Sequence, residues 1–192
     1  MREILIARSS HDSPISILNQ LCWALQENDI RYCFARRYDE IWGGEYNEKD
    51  VDLFIHPDDY NSYALLLREI GFTICSITTA FYYCAKSESV VFLDVNLQGR
   101  EVLHPAFDVR KIVENGVLRD GRRFISDQDL LIQLVVNSVE RHKNLSKVYC
   151  SFIKFCLEEQ NIDFSYVKAA FVEVFGRSMG ERIFSCVHTK DW

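Results

Sequence analysis

The feature that most constrains the fold of this chain is a change of hydrophobic periodicity near residue 126. Before it, short apolar segments with the two-residue alternation of strands are interleaved with helical patterns. After it, apolar residues recur at helical spacing to the end of the sequence. The sequence therefore predicts an α+β fold, in which a mixed sheet flanked by helices over 1–125 is followed by a helical subdomain over 126–192.

Individual elements can be placed from the residues at their boundaries. A helix over 14–28 is expected because a proline opens it, and a second over 57–70 because a glycine follows it. The Asp120-Gly121 pair predicts a tight hairpin, and Ser126 begins a capping-box pattern. Strands are predicted over 31–35, 50–55, 72–78, 80–86 and 90–97.

Composition and charge exclude several classes of protein. The chain has 192 residues, of which 48% are hydrophobic and 26% charged, as is typical of a globular domain. Its formal charge is -6 and its basic residues are scattered, which argues against binding to duplex nucleic acid or to an anionic membrane. It has no apolar run long enough to span a bilayer and begins with no signal peptide, so we expect a cytoplasmic protein. Most of the seven cysteines lie in apolar runs, which favours reduced, buried thiols.

Three aspartates stand out because they lie in two otherwise apolar strands. Residues two apart in a strand share a face, so Asp50 and Asp52 lie on one side of strand 50–55. Asp94 has the same phase in strand 90–97, opposite to the apolar residues around it. Aspartate is depleted in strands, so this placement calls for an explanation. If the two strands are neighbours, the three carboxylates converge.

Converging carboxylates repel each other unless a cation lies between them. Oxygen ligands of this kind suit Mg²⁺ or Mn²⁺, and two such ions stabilise the attacking and leaving oxygens of an in-line displacement. The pattern is therefore typical of phosphoryl or nucleotidyl transfer. The alternative is that the aspartates lie on a solvated sheet face and have no catalytic role.

The order of these motifs resembles that of the nucleotidyltransferase superfamily with the polymerase-β-like fold. The resemblance rests on the segments 50–55 (DVDLFI) and 92–95 (FLDV), and on the apolar strand 32–35 ahead of both. A closer resemblance is to a subgroup of small bacterial nucleotidyltransferase-like proteins, in which an Asp-Gly hairpin leads into a helix that carries a histidine, here His142. The resemblance spans about residues 14–175.

The resemblance implies an enzyme that uses Mg²⁺ or Mn²⁺ to move a nucleoside monophosphate from a nucleoside triphosphate to a hydroxyl of an acceptor. Asp50, Asp52 and Asp94 would be its catalytic and metal-binding residues. The acceptor would be a small molecule or a protein side chain. Related small nucleotidyltransferases also pair with helical proteins, so a toxin–antitoxin partnership is a further possibility.

One departure from the family pattern concerns the phosphates. The family ends its first strand with Gly-Ser or Gly-Gly, whose backbone N–H groups hold the nucleotide phosphates, whereas this chain has Ala35-Arg36 at that spacing. Arg36 or Arg37 would replace the clamp by charge pairing. His142 would contact the nucleotide or the acceptor, unless it lies on a solvated helical face. Alternatively, catalysis has been lost and the fold serves as a nucleotide- or partner-binding module.

Overall fold

The structure is a computed structural model, and it describes residues 13–35, 42, 50–97, 107–142, 147–158 and 162–190. These residues divide into two compact units. The described part of the first unit comprises 13–35, 42, 50–97 and 108–125, and that of the second comprises Phe107 with the residues from Ser126 onward. Each unit is described by itself below.

The first unit is a seven-stranded sheet with three helices. The helices are α1 (Pro14–Glu27), α2 (Tyr60–Glu69) and α3 (Val109–Glu114). The strands are β1 (Tyr32–Phe34), β2 (Val51–Ile55), β3 (Thr73–Ile74), β4 (Thr79–Cys84), β5 (Ser89–Asn96), β6 (Val117–Arg119) and β7 (Arg122–Phe124). A 3₁₀ turn, Pro57–Asp59, precedes α2.

The strand order across the sheet is β3-β4-β5-β2-β1-β7-β6. The pairs β2–β5 and β1–β7 are parallel, and the other four pairs are antiparallel. The fold is therefore α+β with a mixed sheet, as the sequence predicts. This order brings together two strands, β2 and β5, that lie about forty residues apart in the chain.

One face of the sheet forms the core under α1 and α2. The first helix begins at Ser13, whose hydroxyl caps the N–H of Ser16, and Pro14 follows in the first turn, where its missing N–H costs nothing. Its apolar face is buried with the inward residues of β2 and β5, and each fully buried aliphatic side chain contributes about 1.5–3 kcal/mol. These inward residues are Val51, Leu53, Ile55, Val91, Leu93 and Val95.

The opposite face is partly covered by α3, a helix that the sequence pattern does not predict. It lies against β1 and β2, and the thiol of Cys33 donates to the carbonyl oxygen of Ile112 at 3.8 Å. Gly116 follows the helix at a close approach, since a Cβ there would lie 3.3 Å from the Cβ of Cys33. Six residues are too few for hydrophobic periodicity to indicate a helix.

The predicted hairpin is confirmed between β6 and β7, where Asp120 and Gly121 both adopt positive φ angles, 47° and 75°.

Trp42 is anchored to this unit. Its indole N–H donates to the side chain of Asn19 at 2.9 Å, and its ring contacts Phe34 edge-on with centroids 5.1 Å apart.

The second unit is helical, in agreement with the prediction for this part of the chain. Its helices are α4 (Asp127–His142), α5 (Lys147–Glu158), α6 (Phe164–Phe175) and α7 (Arg177–Thr189). The predicted cap is confirmed: the hydroxyl of Ser126 accepts the N–H of Asp129 and donates to its carboxylate at 2.6 Å. Tyr166 of α6 donates to the same buried carboxylate at 2.8 Å, which ties α6 to the start of α4.

Some expectations need correction. The segment 57–70 opens as a 3₁₀ turn rather than as an α-helix, and the strand predicted over 72–78 shortens to two residues. Cys75 and Cys186 are exposed, whereas the sequence favours buried thiols. Within the described ranges, no helix combines the length and apolar character needed to cross a membrane.

Candidate functional site

The centre of the candidate site is the pairing of Asp52 with Asp94. The two residues are register partners on the parallel strands β2 and β5, so their side chains leave the same face of the sheet side by side. Neighbouring strands lie about 4.8 Å apart, which brings the two carboxylates within reach of a common ligand. The sequence argument required β2 and β5 to be neighbours, and the sheet order meets this condition.

Asp50 lies next to this pair. It immediately precedes Val51, the first residue of β2, and has the same phase as Asp52, about 6.6 Å further along the strand. Its side chain is exposed, whereas those of Asp52 and Asp94 are half-buried. Its negative charge raises the pKa of Asp94.

The pKa of Asp94 is raised above its usual range. Partial burial is the larger cause, because it removes water from the charged form, and the nearby charge of Asp50 adds to it. The backbone N–H of Val95 acts in the opposite direction without reversing the shift. Asp94 therefore holds a proton more readily than an ordinary aspartate, as expected of a base in a cluster of like charges.

Along the same face, one side of the carboxylates is closed and the other is open. Phe54, the next residue of β2 on this face, is fully buried, and its register partner Asn96 is also buried. Phe92, the residue of β5 before Asp94 on this face, is 39% exposed. The carboxylates therefore lie at the boundary between the covered part of the sheet face and an open part.

The donor set is of the right kind for a divalent cation, although its side chains are not drawn together. Among the residues that the structure describes, no three His, Cys, Asp or Glu side chains are gathered closely enough to hold a metal ion. The backbone nevertheless places Asp52 and Asp94 so that rotation about their side-chain bonds is enough for both to reach one ion. Carboxylate oxygens are ligands that Mg²⁺ and Mn²⁺ prefer, and a bound cation would offset the repulsion between neighbouring carboxylates.

The described structure does not test the residues predicted to hold the phosphates. Arg36 and Arg37 lie outside the described residues. His142 is the last residue of α4 in the second unit. The predicted contacts of these three residues with nucleotide therefore stay predictions.

The position expected to hold phosphate in the family is engaged in the sheet here. Ala35 follows β1, is only 7% exposed, and its N–H donates to the carbonyl oxygen of Asp52 at 2.9 Å. This N–H therefore extends the β1–β2 pairing and does not point freely toward a ligand.

Sequence reasoning missed an ion-pair cluster at the other end of these strands. Arg31, just before β1, donates to both carboxylate oxygens of Asp59, at 2.7 and 3.2 Å. His56 accepts the backbone N–H of Asp58 through Nδ1, so it caps the 3₁₀ turn. Arg110 of α3 also contacts Asp58, at 3.0 Å. These contacts fix the chain after β2 and have no part in the carboxylate site.

A cavity of about 790 Å³ also lies at this end of β1. Gln26, Arg31, Tyr32 and Arg123 are among the residues that line it, and none of the three aspartates does. The cavity is therefore separate from the candidate site, which is an open surface of the sheet.

Comparison with protein-family models, with curated proteins and with solved structures finds no match for this chain. Any function therefore has to follow from the residues of the site.

Proposed function

We propose that this chain is a nucleotidyltransferase that uses a divalent cation to move a nucleoside monophosphate from a nucleoside triphosphate to a hydroxyl of an acceptor. The observation that carries the proposal is the register pairing of Asp52 with Asp94 on one face of the sheet, with the charge of Asp50 acting on Asp94. The family resemblance of the motifs in their order along the chain supports the same reaction.

In this proposal Asp50, Asp52 and Asp94 would hold Mg²⁺ or Mn²⁺. When bound there, such a cation would supply positive charge that offsets the negative charge of the phosphates and of the leaving pyrophosphate. Asp94 would accept the proton of the acceptor hydroxyl as the new oxygen–phosphorus bond forms. The bond from the α-phosphorus to pyrophosphate breaks in the same displacement, so pyrophosphate leaves with the electron pair.

Calorimetry with ATP, GTP, CTP and UTP in the presence and absence of Mg²⁺ tests this proposal. We expect binding that requires the cation and that Asp52→Asn abolishes. The matched control is Asp120→Asn, because Asp120 is an exposed turn residue with a positive φ that asparagine also adopts. Nucleotide binding that ignores both Mg²⁺ and the Asp52 substitution would rule out the proposed site.

A second candidate is a nucleotide-binding module without catalysis. The observation that favours it is Ala35, whose N–H is bonded to Asp52 and is not free for a phosphate. This candidate predicts Mg²⁺-dependent nucleotide binding with no pyrophosphate release on any acceptor, and an enzyme-coupled pyrophosphate assay distinguishes the two.

A further inference from the structure

An exposed aromatic surface lies beside the three carboxylates. It comprises Phe81 and Tyr83 of β4 and Phe92 of β5, and is called the aromatic ledge below. Phe81 and Phe92 are register partners with ring centroids 6.3 Å apart. Phe92 is 39% and Tyr83 55% exposed, and Phe81 is half-buried, so the ledge presents aromatic side chains to solvent, and exposed apolar surface generally marks a binding surface when it is contiguous.

The ledge shares its face with the candidate site. Phe92 precedes Asp94 by two residues on β5, which places the two side chains on one face about 6.6 Å apart along the strand. On β4, Thr79 is the register partner of Asp94, and Phe81 is the next residue of the same phase. Helix α3 lies over β1 and β2, on the other side of the carboxylates from β4.

We infer that the aromatic ledge binds the nucleobase of the nucleoside triphosphate whose phosphates lie at Asp50, Asp52 and Asp94. This inference rests on the proposed function. A nucleoside triphosphate carries one flat aromatic group, and a single ribose separates it from the α-phosphate. The aromatic ledge offers aromatic rings next to the carboxylates, and the base can stack on one of them.

The chemistry of the ledge also predicts its selectivity. The rings of Phe81 and Phe92 offer no hydrogen-bonding group, so they recognise the face of a base and not its edge. The phenol of Tyr83 lies two residues beyond Phe81 on β4, further from Asp94. Stacking of this kind tolerates every base. We expect ATP, GTP, CTP and UTP to bind within about tenfold of one another, with the larger purines ahead.

Calorimetry with two probes in Mg²⁺ separates this inference from the proposed function. Inorganic triphosphate reports only on the carboxylates and the cation, whereas ATP adds the nucleoside. We expect wild type to bind both, ATP more tightly. Phe92→Ala should weaken ATP about tenfold and leave triphosphate unchanged. Leu118→Ala is the matched control, because Leu118 is 66% exposed on β6 at the far edge of the sheet.

The outcomes are distinguishable. If triphosphate does not bind to wild type in Mg²⁺, the proposed function is wrong, and so is this inference, which rests on it. If triphosphate binds but ATP binds no more tightly, or Phe92→Ala leaves ATP unchanged, only the nucleobase assignment is overturned.

Tyr83→Ser provides a second variant should circular dichroism show that Phe92→Ala has lost its fold. Sedimentation of wild type and Phe92→Ala tests for a second copy of the chain on the ledge, and dimerisation lost with Phe92 would also overturn the assignment.

Discussion

Asp52 and Asp94 lie opposite each other on two parallel strands, and both are half-buried. Partial burial, and after it the charge of Asp50, raises the pKa of Asp94, so the ionised form of this side chain is disfavoured in the fold. A sheet selected for stability alone would place apolar or neutral residues at these positions. The ionised carboxylate of Asp94 therefore lowers the stability of the fold, and a cation bound beside it would offset this loss.

Replacing Asp94 by asparagine should stabilise the fold at neutral pH. The folded-state pKa of Asp94 is raised above the ordinary value of 3.8, so its contribution to stability is fully present below that pH. This contribution is lost as the pH rises through the folded-state pKa. Asparagine stays neutral throughout, so the gain of Asp94→Asn over wild type should appear across this range and persist at pH 7. Urea unfolding at several pH values measures it.

The control for this experiment is Asp120→Asn, which removes an exposed carboxylate from the hairpin turn. We expect it to show no comparable gain between acidic and neutral pH. A loss of stability in Asp94→Asn at pH 7 would mean that the carboxylate is stabilised in the fold, contrary to the direction of its pKa.

Mg²⁺ should stabilise wild type against heat. A cation that binds only the folded state raises the free energy of unfolding by about 2.7 kcal/mol at about 100 times its Kd. Differential scanning calorimetry with Mg²⁺ or with EDTA measures the shift in Tm. We expect the shift in wild type and in Asp120→Asn but not in Asp52→Asn, and an equal shift in all three proteins would place the cation elsewhere.

The strand phases illustrate what can be read from the sequence. The alternation around Asp52 and around Asp94 predicts the face on which each side chain lies, because the period of a strand is two. It does not predict that β2 and β5 are neighbours, since that pairing depends on contacts across about forty residues of chain. From the sequence, the three carboxylates are therefore predicted to converge only on the condition that the two strands are neighbours.

Other features depend on contacts that have no local signature. The sequence does not indicate which residues Trp42 contacts, and in the structure its indole N–H donates to Asn19 while its ring packs against Phe34. The pattern of each strand by itself does not predict the aromatic ledge either, because Phe81 and Phe92 become neighbours only through the β4–β5 register.

Tyr166→Phe should destabilise the second unit. The phenol donates to the buried side chain of Asp129 at 2.8 Å, and loss of a donor to a buried acceptor costs about 1–3 kcal/mol. Chemical denaturation of the full chain measures this loss. Tyr83→Phe is the matched control, since the Tyr83 side chain is 55% exposed, and an equal effect of the two substitutions would contradict the assigned role of the Tyr166 hydroxyl.

Gly180→Ala should also destabilise the second unit, through the approach of α7 to α6. A Cβ at position 180 would lie 2.5 Å from the backbone oxygen of Phe171, so the helices would have to move apart. Overpacking of this kind costs about 1–3 kcal/mol. Ser178→Ala, at an exposed position of the same helix, is the control and should be neutral or slightly stabilising. Comparable stability of the two variants in urea would show that α7 moves away at no cost.

The Arg31–Asp59 pair should stabilise the first unit at neutral pH and cease to do so in acid. Partial burial pushes the pKa of Asp59 upward, but the Arg31 guanidinium and backbone N–H outweigh it and hold the pKa below 3.8. A lowered folded-state pKa means that the stabilisation is present above pH 3.8 and is lost as the pH falls through the folded-state value. The difference in Tm between wild type and Asp59→Asn should therefore shrink below about pH 4, and a difference that is constant down to pH 2 would show that the charge of Asp59 is not its source.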